Sequence, residues 1–227
     1  MSTVWRHGAN NPAISICIPT FDRSQRRVDE AVASVCLYTQ GYEWEIVILD
    51  CEGELRGYTE PMNEAMDAAK GEILVAMNDD VIAAPGWMSM LIGALHDGAW
   101  CATPDMTHTD GPQVFAPYCM AWWRCHWHEV GGLDSQFQWW CSDIDLARRL
   151  MDMGHPPVRV RLEPPIEHAI GSTATDPSHQ ATLNEWAAQD LDRFRKKWGE
   201  EAEREKVRMA VAVGANTDPR LAHWRIP

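Results

Sequence analysis

Apolar and polar positions alternate in blocks along the first hundred residues. Three apolar runs each end in a polar residue and are followed by a stretch with the periodicity of a helix. The runs occupy residues 13–19, 45–49 and 73–77, they end at Thr20, Asp50 and Asn78, and the helical stretches cover residues 25–39, 61–70 and 85–96. This order predicts a doubly wound α/β domain with a mostly parallel sheet flanked by helices. Open sheets of this kind bind ligands at the carboxyl ends of their strands.

The run at residues 73–77 is the centre of this pattern. It is apolar at every position, which is typical of a strand buried on both faces, and it ends abruptly in Asn78, Asp79 and Asp80. Two adjacent carboxylates repel each other unless a cation or hydrogen bonds balance them. Oxygen ligands suit Mg2+ or Mn2+, which commonly bridge to substrate phosphates. The alternative is that Asp79 and Asp80 only cap a helix that Pro85 begins.

The second half of the chain shows the same kinds of element with weaker patterns. Strands are predicted at residues 99–103, 118–123 and 158–162, a surface loop at 104–117, and helices at 143–153, 182–198 and 200–213. Ser142 is the predicted cap of the helix at 143–153. Asp143 and Asp145 then lie in its first turn, where the helix dipole stabilises ionised carboxylates. Simple N-terminal capping is the alternative explanation for both residues.

Composition and charge narrow the class of protein. The chain has 227 residues, of which 45% are hydrophobic and 23% charged, as in soluble globular proteins. It contains no apolar run of membrane-spanning length, and we expect no signal peptide because residues 1–12 have no apolar core. Seven scattered cysteines favour free thiols in a reducing compartment, so we expect a cytoplasmic protein. The net charge of −13 disfavours nonspecific binding to nucleic acid or anionic lipid.

Common cofactor motifs are absent from the sequence. No Gly-x-Gly-x-x-Gly fingerprint follows the first strand, and no phosphate-binding loop of the Gly-x-x-x-x-Gly-Lys type occurs. Cys125, His126 and His128 resemble half of a zinc site, but no second half follows. Phosphates must then be held in another way, and a metal ion on Asp79 and Asp80 would do this.

Five motifs in a fixed order give the chain a family resemblance. They are Ile-Cys-Ile-Pro-Thr-Phe-Asp-Arg (16–23), Glu-Ile-Val-Ile-Leu-Asp (45–50), Gly-Glu-Ile-Leu-Val-Ala-Met-Asn-Asp-Asp (71–80), Val-Gly-Gly-Leu-Asp (130–134) and Ser-Asp-Ile-Asp-Leu-Ala-Arg-Arg-Leu (142–150). Over roughly residues 13–198 they resemble the family 2 glycosyltransferases, inverting enzymes with the GT-A fold. The resemblance implies a GT-A catalytic domain at residues 1–198 and a helical extension and tail at residues 199–227.

The resemblance assigns the side of the site that binds the nucleotide-sugar donor. Thr20 and Asp50 would lie against the nucleotide base, and Pro19 and Asp22 would shape the pocket. The family commonly has Asp-Gly-Ser where this chain has Cys-Glu-Gly at residues 51–53, which puts the contacts to the base in question.

The resemblance also implies a metal site. Asn78, Asp79 and Asp80 stand where the family has its Asp-x-Asp motif, with Asp80 as the metal ligand and Asp79 near the ribose or the metal. His168 corresponds to a late histidine that some members add to the metal. The expected cofactor is therefore Mn2+ or Mg2+, which would neutralise the diphosphate leaving group.

The remaining roles concern the acceptor. Asp143 occupies the position of the family's catalytic carboxylate, which would deprotonate an acceptor hydroxyl and give inversion in a single displacement. The residue before it is Ser142 rather than an acid, which leaves one carboxylate as the base. Trp139 and Trp140 are predicted to stack on an acceptor ring, with core packing as the alternative. Residues 168–182 are predicted to form a lid over the bound donor.

Two rival functions accompany this prediction. A sugar nucleotidyltransferase would have a glycine-rich, basic loop after the first strand, which residues 20–24 do not form. A catalytically inactive module that binds a nucleotide sugar or a glycan is favoured only by Ser142. The acceptor is open among a glycan, a lipid-linked sugar, a small molecule, a protein and a modified nucleic acid, with the acidic charge weighing against the last.

Overall fold

The computed structural model describes residues 2–104, 118–168 and 177–199. The strands are β1 (Thr3–Gly8), β2 (Ile14–Thr20), β3 (Trp44–Asp50), β4 (Ile73–Met77), β5 (Val81–Ile82), β6 (Cys101–Pro104), β7 (Cys119–Trp123), β8 (Val158–Val160) and β9 (Glu167–His168). The helices are α1 (Arg26–Tyr38), α2 (Thr59–Ala68), α3 (Trp87–His96), α4 (Arg124–Val130), α5 (Ser142–Asp152) and α6 (Gln180–Trp198). Each of these helices is too short or too polar to cross a lipid bilayer.

Seven strands form one twisted sheet in the order β1-β3-β2-β4-β7-β6-β8. β2 pairs in parallel with β3 and β4, and β6 pairs in parallel with β8. β7 is antiparallel to both β4 and β6, and β1 is antiparallel to β3 at one edge. Within this seven-stranded sheet, β1 and β7 run in one direction and the other five strands run in the opposite direction. The predicted mostly parallel sheet is confirmed.

Helices cover both faces of the sheet, which explains why β4 is apolar throughout. Ile73, Val75 and Met77 belong to the core beneath α1 and α3, whereas Leu74 and Ala76 belong to the core beneath α2, α4 and α5. Successive side chains of a strand point to opposite faces, so a strand covered on both sides has no position left for a polar residue. The chain becomes polar immediately after Met77, where it leaves the sheet.

Several features of the fold differ from the sequence-based predictions. Residues 3–8 form the edge strand β1, although mostly exposed side chains gave them no apolar pattern. Ser142 is not the cap of α5, because the cap is Cys141 in a left-handed conformation and Ser142 is already helical. Asp79 and Asp80 do not cap a helix either, since they are followed by the short strand β5 and α3 begins only at Trp87.

The helix α6 packs against the start of α5 through a small third core. Phe194 of α6 meets Phe137, Cys141 and Ile144. Asp145 is fully buried beneath this contact, and its Oδ1 accepts a hydrogen bond from Trp198 Nε1 at 2.9 Å. This carboxylate of the first turn of α5 therefore joins the two helices.

Several predictions fall on residues outside the described ranges. They are the loop at 104–117 apart from Pro104, the helix at 200–213, and the extension at 199–227 beyond Gly199. The predicted lid at 168–182 falls largely in the same category, because residues 169–176 are not described. The domain division at residue 198 remains a prediction.

Candidate active site

A cleft of about 330 Å³ opens at the carboxyl ends of β2 and β4, a volume typical of small-ligand sites. The predicted site residues that line it are Pro19, Thr20, Asn78, Asp79, Asp80, Trp139, Trp140 and His168. Asp22, Asp50 and Asp143 are not part of the lining. The structure thus brings together residues from both halves of the chain at the sheet edge where ligands are expected.

Asp79 lies at the floor of this cleft with two partners. The Thr20 hydroxyl donates a hydrogen bond of 2.6 Å to its Oδ2, and Arg27 Nε lies 3.2 Å from the same oxygen. The pKa of the Asp79 carboxyl is raised, mainly by burial and also by the charge of Asp80. Hydrogen bonding from Thr20 and the charge of Arg27 oppose this increase. Thr20 reaches Asp79 because β2 and β4 are parallel neighbours and their ends lie side by side.

Asp80 is paired with the histidine that the sequence predicted as its companion. His168 Nε2 lies 3.2 Å from Asp80 Oδ1 and 3.5 Å from Asn78 Nδ2. The two-stranded sheet of β5 and β9 brings these residues together. Val81, which follows Asp80 in the chain, pairs with His168. The ring of Tyr118 stacks on the imidazole with centroids 4.7 Å apart and holds it in place.

The donor atoms around Asp80 fit a divalent ion. Within the described ranges, Asn78 Oδ1 and His168 Nδ1 are buried without a hydrogen-bond partner, so this polar pocket is incompletely satisfied by the protein alone. No group of three or more His, Cys, Asp or Glu residues is placed to hold a metal in the described part of the chain. One carboxylate and one imidazole match the sparse protein ligation of ions that also bind substrate phosphates.

Asp143 lies in the first turn of α5, beside the cleft rather than in its lining. Its Oδ1 accepts a hydrogen bond of 2.9 Å from the backbone N–H of Ile144. Tyr58 lines the cleft. Burial raises the pKa of the Tyr58 hydroxyl, and the charges of Asp143 and Asp80 contribute to that increase. Asp143 is therefore within electrostatic range of the cleft.

The carboxylates of Asp50 and Asp22 stabilise the loops that follow β2 and β3. Asp50 Oδ1 accepts hydrogen bonds from the backbone N–H groups of Glu52, at 2.9 Å, and Arg23, at 3.2 Å. Asp22 Oδ1 accepts one from Ser24 N–H at 2.8 Å, and this hydrogen bonding lowers the pKa of Asp22. Both residues therefore hold loops whose members Phe21 and Cys51 line the cleft.

Trp139 and Trp140 form a tryptophan wall in the lining of the cleft. Trp140 is 49% exposed, unusual for so large an apolar ring, whereas Trp139 is half-buried. Their loop ends at Cys141, whose φ of 65° lies in the left-handed region that non-glycine residues seldom occupy. Core packing alone therefore does not account for Trp140.

Three residues near the cleft were missed by the sequence-based prediction. Arg27 is the counter-charge of Asp79. Tyr58 lines the cleft, where burial and the charges of Asp143 and Asp80 raise its pKa. Arg56 lines the cleft, but both of its terminal nitrogens contact Glu64, at 2.6 and 3.0 Å. Of these three residues, only Arg27 could have been found from the sequence. It stands in the first turn of α1, the helix that follows β2, close to the predicted ligand-binding edge of the sheet.

Comparisons with known proteins place the fold. No protein-family model matches the sequence, and no curated protein matches it. The mannosyltransferase PcManGT from Pyrobaculum calidifontis, solved with GDP-Man and Mn2+, is similar with a TM-score of 0.54 and 15% identity over 96% of this chain and 80% of that chain. TarS (1–349) from S. aureus is similar with a TM-score of 0.52 and 12% identity over 89% of this chain and 82% of that one.

The catalytic domain of Drosophila β1,4-galactosyltransferase 7, solved with xylobiose, is a weaker match. Its TM-score is 0.49 at 16% identity, and the match covers 64% of this chain and 63% of that one, less than two thirds of its length. The matches to PcManGT and TarS establish that this chain has a GT-A glycosyltransferase fold, as the sequence predicted. Membership of family 2 remains a prediction.

Proposed function

We propose that the chain is a metal-dependent glycosyltransferase that moves a sugar from a nucleoside-diphosphate donor to an acceptor hydroxyl with inversion. The observation that supports this most directly is the contact of Asp80 with His168 in the cleft of a GT-A fold. The two residues come from distant parts of the chain, and His168 is held both by strand pairing and by the ring of Tyr118.

The donor would bind across the ends of β2, β3 and β4. Thr20 and Pro19, with loops held by Asp22 and Asp50, would contain the nucleotide base, and Asp79 would face the ribose. Asp80 and His168 would hold Mn2+ or Mg2+, with the remaining ligands supplied by the diphosphate and water. The bound ion would neutralise the charge that develops on the departing diphosphate.

Asp143 would act as the general base for transfer. Its carboxylate would take the proton of the acceptor hydroxyl while that oxygen attacks the anomeric carbon. The bond from the anomeric carbon to the diphosphate breaks in the same step, and attack from the opposite face inverts the configuration. The stacking surface of Trp139 and Trp140 would hold the acceptor. A cytoplasmic location is part of this proposal and is supported by the seven cysteines, all free thiols.

Calorimetric titration with nucleotides tests the donor site. We would titrate UDP, GDP, CDP and dTDP and their sugar conjugates into the full chain, first with Mn2+ and then with excess EDTA. The proposal expects binding of one nucleotide class that EDTA abolishes. The matched control is Asp152→Asn, which removes an exposed carboxylate at the end of α5 and should leave binding unchanged. Absence of binding to every nucleotide would contradict the proposal.

A binding module without catalytic activity is the second candidate. Two observations favour it: Ser142 replaces an acid, and Asp143 is not part of the cleft lining. A module that binds a glycan would bind no nucleotide, whereas a module that binds a nucleotide sugar would bind it as the enzyme does, so nucleotide binding does not separate the enzyme from the latter. Slow hydrolysis of the bound nucleotide sugar does, because a transferase with a functional base also transfers to water. Hydrolysis that Asp143→Asn removes would support the enzyme, and complete absence of hydrolysis would support the binding module.

A further inference from the structure

The helix α6 contributes a buried carboxylate to the back of the tryptophan wall. Asp190 has no exposed surface, and its Oδ2 accepts hydrogen bonds from the backbone N–H groups of Gln138, Trp139 and Trp140, at 3.0, 2.7 and 2.8 Å. Its Oδ1 accepts from Arg193 at 2.8 Å and also lies 3.1 Å from the Gln138 nitrogen. Three consecutive N–H groups converging on one carboxylate form an anion nest built from the protein itself.

Burial of the Asp190 carboxylate costs free energy unless hydrogen-bond donors replace its lost water. A fully buried carboxylate loses its hydration, and only directed donors compensate that loss. Apart from Arg193, the donors named above belong to a surface loop that precedes a left-handed residue, Cys141, with φ of 65°. Strained backbone of this kind persists only where the surroundings impose it. The hydrogen bonds of Asp190 therefore connect α6 directly to the loop that ends at this strained residue.

The loop is held on its other side by the entrance to α2. The Gln138 carbonyl accepts a hydrogen bond of 2.8 Å from the backbone N–H of Tyr58. Gly57 lies so close that an added Cβ would come within 2.3 Å of the Gln138 oxygen, so this approach requires a glycine at residue 57. A continuous path of hydrogen bonds thus leads from the Asp190 carboxylate through the Gln138 backbone to Tyr58, which lines the cleft.

We propose that Asp190 is a positioning residue that sets the acceptor-binding wall, Trp139 and Trp140, and the start of α5 that carries Asp143. This inference rests on the proposed function for its catalytic consequence. Asp190 touches neither the cleft nor a substrate and acts through the loop at residues 138–141. The consequence is that α6 is a structural part of the active site.

The test compares Asp190→Asn with Asp192→Asn in the full chain. Asp190→Asn keeps the shape of the side chain but removes one acceptor oxygen and the charge that three N–H groups share. Asp192 lies on the same helix and pairs only at the surface with Lys196, so its replacement is the matched control. The protein is labelled with 5-fluorotryptophan, and the 19F resonances of Trp139 and Trp140 are assigned with single Trp→Phe variants.

We expect Asp190→Asn to shift or broaden these two resonances while those of the other tryptophans that can be assigned remain in place. Calorimetric affinity for the nucleotide that binds with Mn2+ should change less than about twofold, because the donor side is untouched. Transfer to acceptor should fall by about 100-fold, the scale expected when reacting groups are misplaced by about 1 Å. Unchanged 19F resonances in Asp190→Asn would overturn the proposal.

The fluorine readout does not depend on the proposed function. If wild-type protein binds no nucleotide, the glycosyltransferase proposal fails, and the resonances still decide whether Asp190 positions the loop. If Asp190→Asn does not fold, Asp190→Glu and hydrogen exchange of the wild type replace it. The amides of Trp139 and Trp140 should then exchange as slowly as those of β4, whereas fast exchange in the wild type, or native resonances in Asp190→Glu, would overturn the proposal.

Discussion

His168 Nε2 lies 3.2 Å from Asp80 Oδ1, and the pairing of β9 with β5 maintains this contact. Asp80 is buried and the His168 side chain is 15% exposed, and the ring of Tyr118 stacks on the imidazole. In the proposed metal site, the two groups would present their donor atoms side by side to one ion.

Replacement of Asp80 or His168 should weaken metal-dependent nucleotide binding. We expect Asp80→Asn and His168→Ala each to weaken Mn2+-dependent affinity by at least ~10-fold, since even outer partners of metal ligands have effects of this size. His128→Ala is the matched control, because His128 is exposed on α4, outside the cleft lining. The measurement is calorimetric titration with UDP and GDP, and full affinity in His168→Ala would remove it from the metal site.

Arg27 should stabilise the fold far more than its neighbour Arg26. Arg27→Met leaves the buried Asp79 carboxylate with fewer partners, so we expect the free energy of unfolding to fall by about 1–3 kcal/mol. Arg26 pairs with Glu30 while 88% exposed, and Arg26→Met should change stability by less than about 0.5 kcal/mol. Urea denaturation measures both, and equal effects would show that Asp79 does not depend on Arg27.

Asp143→Asn should strongly reduce the rate of transfer without weakening the binding of the donor nucleotide. General bases contribute about 10²- to 10⁴-fold to rate, and we expect the loss of transfer to fall in this range. Nucleotide affinity should stay within about twofold of the wild type, because Asp143 is not part of the cleft lining. Turnover and calorimetry are measured on the same preparation with Asp152→Asn as control, and retained turnover would exclude Asp143 as the base.

Trp140→Ala should weaken acceptor binding and leave stability almost unchanged. Ring stacking adds about 0.5–1.5 kcal/mol, so the acceptor KM should rise about two- to tenfold while the donor KM stays constant. Trp5→Ala is the control, because Trp5 is similarly exposed, at 53%, on the edge strand β1. An equal effect of both substitutions on the acceptor KM would argue against a specific stacking role.

Asp134 should make the docking of α6 sensitive to acid. Burial acts to raise the pKa of Asp134, but hydrogen bonds from Lys197 of α6 and from Gln136 outweigh it and hold the pKa below its usual range. A lowered folded-state pKa gives stability that is present above the unfolded pKa of about 3.9 and is lost as the pH falls through the folded value.

Asp134→Asn should therefore cost about 0.5–1 kcal/mol of unfolding free energy at pH 7, a modest value because the pair is partly exposed. The difference from wild type should shrink as the pH falls below about 4 and vanish once Asp134 is protonated in the folded state. Urea denaturation at several pH values measures this, with the exposed Asp192→Asn as control. A constant difference at all pH values would contradict the assignment.

The central strand of the fold could be predicted from the sequence. β4 was predicted at its observed bounds, because a strand covered on both faces must be apolar at every position. The carboxylates of Asp79 and Asp80 could be placed at the ligand-binding edge for the same reason, since the chain turns polar where it leaves the sheet. The first-turn position of Asp143 also followed from local pattern.

Other features depended on contacts between distant segments. The antiparallel direction of β7 and the edge strand β1 are decided by pairing with β4 and β3, and neither has a local pattern that encodes a partner. Cys141 rather than Ser142 caps α5, and the loop before this helix is held by hydrogen bonds to Asp190 of the distant helix α6.

The sequence by itself determined the α/β architecture and the acidic end of β4, because periodic burial and the loss of apolar character are local properties of the chain. Only the tertiary structure decided which groups meet those carboxylates. It brought Arg27 to Asp79 and placed Asp190 behind Trp139 and Trp140. A buried charge needs partners nearby, and which residues lie near it depends on how distant segments of the chain pack together.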